Sequence, residues 1–61
     1  MTGGAAFKLS RIYAEGWNAA SKLSASESEG QILKRAAALN PYVVEPERSR
    51  WNEGFTKALG A

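Results

Sequence analysis

The chain has 61 residues, with eight Lys or Arg against six Glu, and no Asp, Cys or His. That length allows one small domain, which buries only about 60% of the surface exposed by the unfolded chain; the missing Cys and His exclude a disulfide staple and a Cys/His zinc site. The net charge of +2 suits solubility and permits nucleic-acid contact without demanding it.

The N-terminus, Met1-Thr2-Gly3-Gly4-Ala5-Ala6, lacks the charged start and apolar run of a secretory signal. It reads as a mobile lead-in over residues 1–6, ahead of a single domain over 7–60. No run approaches ~20 consecutive apolar residues, so no membrane contact is expected and the cytoplasm is the expected location.

The spacing predicts a first helix over about 7–23. Leu9, Ile12, Tyr13, Gly16, Ala20 and Leu23 fall on one stripe at 100° per residue, with Trp17 at its edge. Gly16 costs roughly 0.5–1 kcal/mol against Ala inside a helix. Its place between two aromatics predicts close approach by another helix. The polar stretch Ser24 to Gly30 offers two overlapping helix-start signals, Ser24 with Glu27 and Ser26 with Glu29. A middle helix over about 27–39 follows, with Ile32, Leu33, Ala36, Ala37 and Leu39 as its apolar side.

Asn40-Pro41 ends that helix, because Pro cannot donate to the preceding turn and restricts the residue before it. Tyr42-Val43-Val44 is expected to be extended or irregular, its three apolar side chains able to cover a helix pair. Glu45-Pro46-Glu47 opens a last helix over about 47–59, whose inner stripe is Trp51, Gly54, Phe55 and Ala58, with Gly60 as a stop. The first and last helices carry the same pattern at an offset of 38: Tyr13-Ala14-Glu15-Gly16-Trp17 and Trp51-Asn52-Glu53-Gly54-Phe55. The expected fold is all-α: two Gly–aromatic helices packed antiparallel, plus a middle helix.

That spacing assigns Tyr13, Trp17, Trp51 and Phe55 mainly to the core. Trp17, at the stripe edge, is the ring best placed to stay outside and stack on bases. Arg48-Ser49-Arg50 sets two guanidinium forks and a hydroxyl beside an aromatic, a combination suited to phosphate. Packing of the two helices would join Lys8, Arg11 and Lys57 to this group in one basic face; the alternative is an ordinary solvated surface. Catalysis finds little support without His, Cys or Asp. Glu15 and Glu53 are expected to cap, solubilise or pair with Arg. No enzyme activity, cofactor, metal or small-molecule substrate is expected.

Three blocks in order, Tyr13 to Ala20, Asn40-Pro41-Tyr42 and Glu47 to Phe55, make the chain resemble the ribosome modulation factor family of small bacterial proteins. Gly16, Trp17, Pro41, Tyr42, Arg48, Ser49, Trp51, Gly54 and Phe55 match its signature. The blocks cover about half the chain. The N-terminus is Gly/Ala-rich where founding members are Lys/Arg-rich, and the segment before Pro41-Tyr42 is longer. The resemblance implies a non-enzymatic protein that binds small-subunit ribosomal RNA and represses translation in slow growth or stress by promoting inactive, paired ribosomes. Arg48 and Ser49 would be the RNA contacts among the matched residues. The competing expectation is a protein-interaction or self-associating regulatory module without RNA binding.

Overall fold

A computed structural model describes residues 4–60. Three helices follow one another: α1 (Gly4–Leu23), α2 (Glu29–Leu39) and α3 (Glu47–Gly60). The class is all-α, with no strand among the described residues. The first helix begins at Gly4, so residues 4–6 of the expected lead-in belong to it; Met1–Gly3 lie outside the described residues.

The core is small. Ile12, Ala20, Ile32, Trp51 and Phe55 are buried, and Leu9, Ala19, Leu23, Ala36, Tyr42, Ala58 and Leu59 pack around them. Both helical stripes read from the sequence supply it. Of the four pattern aromatics, Trp51 and Phe55 are buried, while Tyr13 and Trp17 are half-buried.

The backbones of α1 and α3 meet at the two glycines. A Cβ on Gly16 would overlap the Trp51 carbonyl oxygen and lie 3.0 Å from the Phe55 nitrogen. A Cβ on Gly54 would overlap the Tyr13 carbonyl oxygen and lie 3.2 Å from the Trp17 nitrogen. At each glycine a hydrogen therefore points at the neighbouring helix's carbonyl. Such Cα–H···O contacts contribute perhaps 0.5–1 kcal/mol each, comparable to the helix propensity that each glycine gives up.

The direction of this pair corrects the expected antiparallel packing. Lys8 Nζ lies 3.6 Å from Glu47 Oε2, which joins the N-terminal halves of α1 and α3. Ser24, just past the end of α1, lines one hollow with Ala58 and Leu59 of the last turn of α3. An antiparallel pair would set Lys8 beside Ala58 and Leu59 instead. The two helices run in the same sense, and α2 carries the chain back between them. The repeat could not distinguish the two arrangements, because either lets Gly16 and Gly54 meet at a crossing.

Three local expectations also change. α2 begins at Glu29, after Ser28, with no side-chain cap bond. Ser24 instead turns back to donate to the Ser21 carbonyl at 2.8 Å, and Glu27 pairs with Arg35 at 3.2 Å, so neither Ser–Glu capping box forms. α2 is fixed by Ile32 and Ala36, while Leu33, Ala37 and Leu39 are exposed: a single-sided seat on the α1–α3 pair needs only a narrow stripe. Of Tyr42-Val43-Val44, only Tyr42 packs; Val43 and Val44 are 84% and 61% exposed.

Candidate functional site

The offset of 38 is also the register of contact between α1 and α3. Gly16 meets the backbone around Trp51 and Phe55, and Gly54 meets the equivalent backbone around Tyr13 and Trp17. This is a local pseudo-two-fold relation. In each helix the residues three and four before the glycine flank it on opposite sides. Ile12 therefore shares one side of the pair with Trp51, and Tyr13 shares the other with Arg50.

The first side is filled. Ile32 of α2 joins Ile12, Trp51 and Phe55 there in one cluster. The second side has no helix over it. It is a hollow of about 450 Å³ lined by Tyr13, Arg50, Glu53, Thr56 and Lys57. Trp17 stacks on Tyr13, with ring centroids 6.4 Å apart and planes at 29°. Arg50 places its guanidinium carbon 5.4 Å from the Tyr13 ring centroid and bonds the Glu53 carboxylate at 2.6 Å; its Nε is buried without an acceptor.

The equivalent positions explain why only one side is filled. Ile12 corresponds to Arg50, and Ala19 to Lys57. Docking an apolar helix over the second side would remove two cations from water, at several kcal/mol per unpaired ion. The aromatics differ by one polar group: Tyr13 and Trp17 each carry one at the ring edge, as does Trp51 on the filled side, whereas Phe55 has none.

The six basic and hydroxyl residues picked from the sequence are divided by this geometry. Arg50 and Lys57 come together in the open hollow. Lys8 and Arg11 line a different groove, of about 350 Å³, with Phe7, Ile12, Glu15 and Tyr42. Arg48 stands 3.9 Å from Glu45, and Ser49 donates its backbone N–H to Glu45 Oε1 at 3.1 Å. The single shared basic face expected on the helix pair is thus not formed. Of the six, Arg11 and Lys57 are cations with no carboxylate within 4.0 Å among the described residues.

The Pro-Tyr element is held by polar contacts. Asn40 accepts the Tyr42 N–H at 2.9 Å through Oδ1, while its Nδ2 donates to the Arg48 carbonyl at 3.0 Å and to Asn52 Oδ1 at 3.2 Å. Tyr42 donates its hydroxyl to Glu15 Oε1 at 2.7 Å. That bond, then desolvation and the Glu15 charge, raise the Tyr42 phenol above its ordinary 10.0. Asn40 and Tyr42, on either side of Pro41, therefore act as a clasp between α3 and α1. Sequence reading missed Asn40 as its centre; Asn before Pro, with Asn52 one pattern away, was the available signal.

Glu45, expected at the start of the last helix, is found there. Its carboxylate caps the start of α3. Hydrogen bonds from the Ser49 side chain and backbone, helped by the Arg48 charge, hold it below its ordinary 4.5. The Arg-Ser pair is tied to its own helix start by this cap, in addition to any role outward.

Comparison with protein-family models, with curated proteins and with solved structures finds no match.

Proposed function

We propose that this protein binds ribosomal RNA and represses translation in slow growth or stress, in the manner of the ribosome modulation factor family that its sequence resembles. One observation carries the RNA-binding part: the side of the helix pair that α2 leaves open has Arg50 and Lys57 where the filled side has Ile12 and Ala19. That side suits an anionic, partly aromatic partner. Lys57 supplies an uncompensated charge, Arg50 a guanidinium held in place by Tyr13 and Glu53, and Arg48 a third cation on the same helix. Surface pairs such as Arg48 with Glu45 are worth about 0–1 kcal/mol, so phosphate can displace the carboxylate at little cost.

The test is co-sedimentation with ribosomes over a salt series, beside titration of isolated RNA. Binding should weaken with salt at a slope of about −0.7 per phosphate contact for single strands. Lys57→Ala should flatten that slope by about one contact. Ribosomes and RNA that fail to bind at low salt would rule the proposal out.

A second reading rests on a separate observation. Phe7 is 66% exposed and borders the groove lined by Tyr42, and the exposed Val43 and Val44 follow Tyr42 in the chain. A self-associating or protein-binding module would use these side chains. Sedimentation velocity on the protein and on Val43→Ser/Val44→Ser discriminates: this reading requires a concentration-dependent assembly that the double substitution abolishes.

A further inference from the structure

The RNA-binding reading leaves open what form of RNA this side accepts, and the aromatic pair of Tyr13, which lines the hollow, and Trp17, stacked on it, bears on that. We infer that Trp17 and Tyr13 form a stacking site for an unpaired base, so that the protein takes single-stranded RNA in preference to duplex. This rests on the RNA-binding reading and narrows it.

The two copies of the aromatic pair supply the argument. Trp51 and Phe55, 3% and 0% exposed, have centroids 5.0 Å apart and are enclosed by Ile12 and Ile32. Tyr13 and Trp17 have the same spacing in their helix and the same backbone contact, but no helix covers them. Arg50 lies over the Tyr13 ring, and Trp17 stacks on Tyr13. The ring left to receive another flat group is that of Trp17. An aliphatic partner would bury Arg50 and Lys57 without pairing them. A nucleotide stacks its base on the indole and brings its own phosphate towards these cations.

Duplex RNA cannot use such a site, because its base faces are stacked on one another and only edges and backbone are presented. An unpaired nucleotide presents both a face and a phosphate. Stacking of this kind is indifferent to base identity, so sequence preference is expected to be slight.

The experiment compares a single-stranded RNA 12-mer, a duplex RNA of the same length, and heparin as a polyanion without bases. Trp17 is its own reporter, since Trp51 is enclosed. The single strand should quench indole fluorescence and bind at least about tenfold more tightly than the duplex. Trp17→Ala should weaken single-strand binding by about 5- to 150-fold and leave heparin binding and the salt slope unchanged. Trp17→Leu keeps an apolar side chain at this position and should behave alike, which preserves the test if the Ala variant unfolds. RNA binding that is equal for duplex and single strand, or indifferent to Trp17, overturns the stacking site and leaves the RNA reading standing. Absence of binding to either RNA overturns both.

Discussion

Of the two grooves flanking the Gly16–Gly54 crossing, one holds α2 and the other leaves Tyr13 and Trp17 half-exposed. Both are walled by the same aromatic–Gly–aromatic pattern and share one backbone contact. Their difference lies in the positions four before and three after each glycine: Ile12 and Ala19 on one side, Arg50 and Lys57 on the other. Burying a side chain such as Ile stabilises by about 1.5–3 kcal/mol, whereas an unpaired buried cation costs several. A near-symmetric pair of helices thus acquires a core side and an open side from two positions, with no change in backbone.

The sharpest way to break this contrast is to truncate the matching ring on each side. Phe55→Ala should cost about 3–5 kcal/mol, enough to unfold much of a domain whose whole stability is about 3–9 kcal/mol at this length. Trp17→Ala should cost less, about 1 kcal/mol, because the ring is only half-buried. Paired thermal melts measure both, and equal losses would mean that the grooves are equally filled.

Next in size is the contact the two sides share. Gly16→Val or Gly54→Val should cost on the order of 1–3 kcal/mol or more, since the added carbon meets backbone that cannot rotate aside. Denaturant titration would detect it, and retained stability would show that the helices separate more easily than their packing implies. Smaller is the clasp: Asn40→Ala leaves the Tyr42 N–H without its acceptor and cuts the tie to Asn52, at about 1–2 kcal/mol, with faster amide exchange expected at Tyr42.

Converting one groove into the other sharpens the comparison directly. Arg50→Ile with Lys57→Ala copies the residues of the filled side. Stability should stay within about 1 kcal/mol of the parent, as for surface changes generally, while RNA affinity falls about tenfold. The new apolar trough should also promote self-association, visible in sedimentation velocity. The smallest effect concerns pH. Glu45 is held below its ordinary 4.5 by the folded cap, so its support of α3 is full above that pH and lost as pH falls through the lowered value. The Ser49 amide resonance should shift over that range, and Glu45→Gln should remove most of the shift.

The legible part of the fold was what periodicity encodes. Ile12, Gly16, Ala20, Trp51, Gly54 and Phe55 are inward where the 3.6-residue stripe places them, and the glycines mark close approach because nothing else justifies them there. Helix direction was illegible, since two glycines at a crossing fit parallel and antiparallel pairs alike. Leu33, Leu39, Val43 and Val44 misled because apolar character alone does not say which side chains a narrow contact reaches. For the candidate site, the sequence names the basic residues, but their grouping depends on which side of the glycine each projects. That is why Lys8 and Arg11 part from Arg50 and Lys57. Trp17 was readable as an edge residue from its angle alone.

The parallel sense of α1 and α3 has a topological consequence. A chain that lays down two helices in the same direction must travel back once between them, and one return journey can pass over one flank only. α2 is that journey. However symmetric the crossing, among the described residues no second segment closes the other flank. The asymmetry of the pair is thus a matter of connectivity as much as of side chains: a return path exists for one flank, and Tyr13 and Trp17 lie on the flank it does not take.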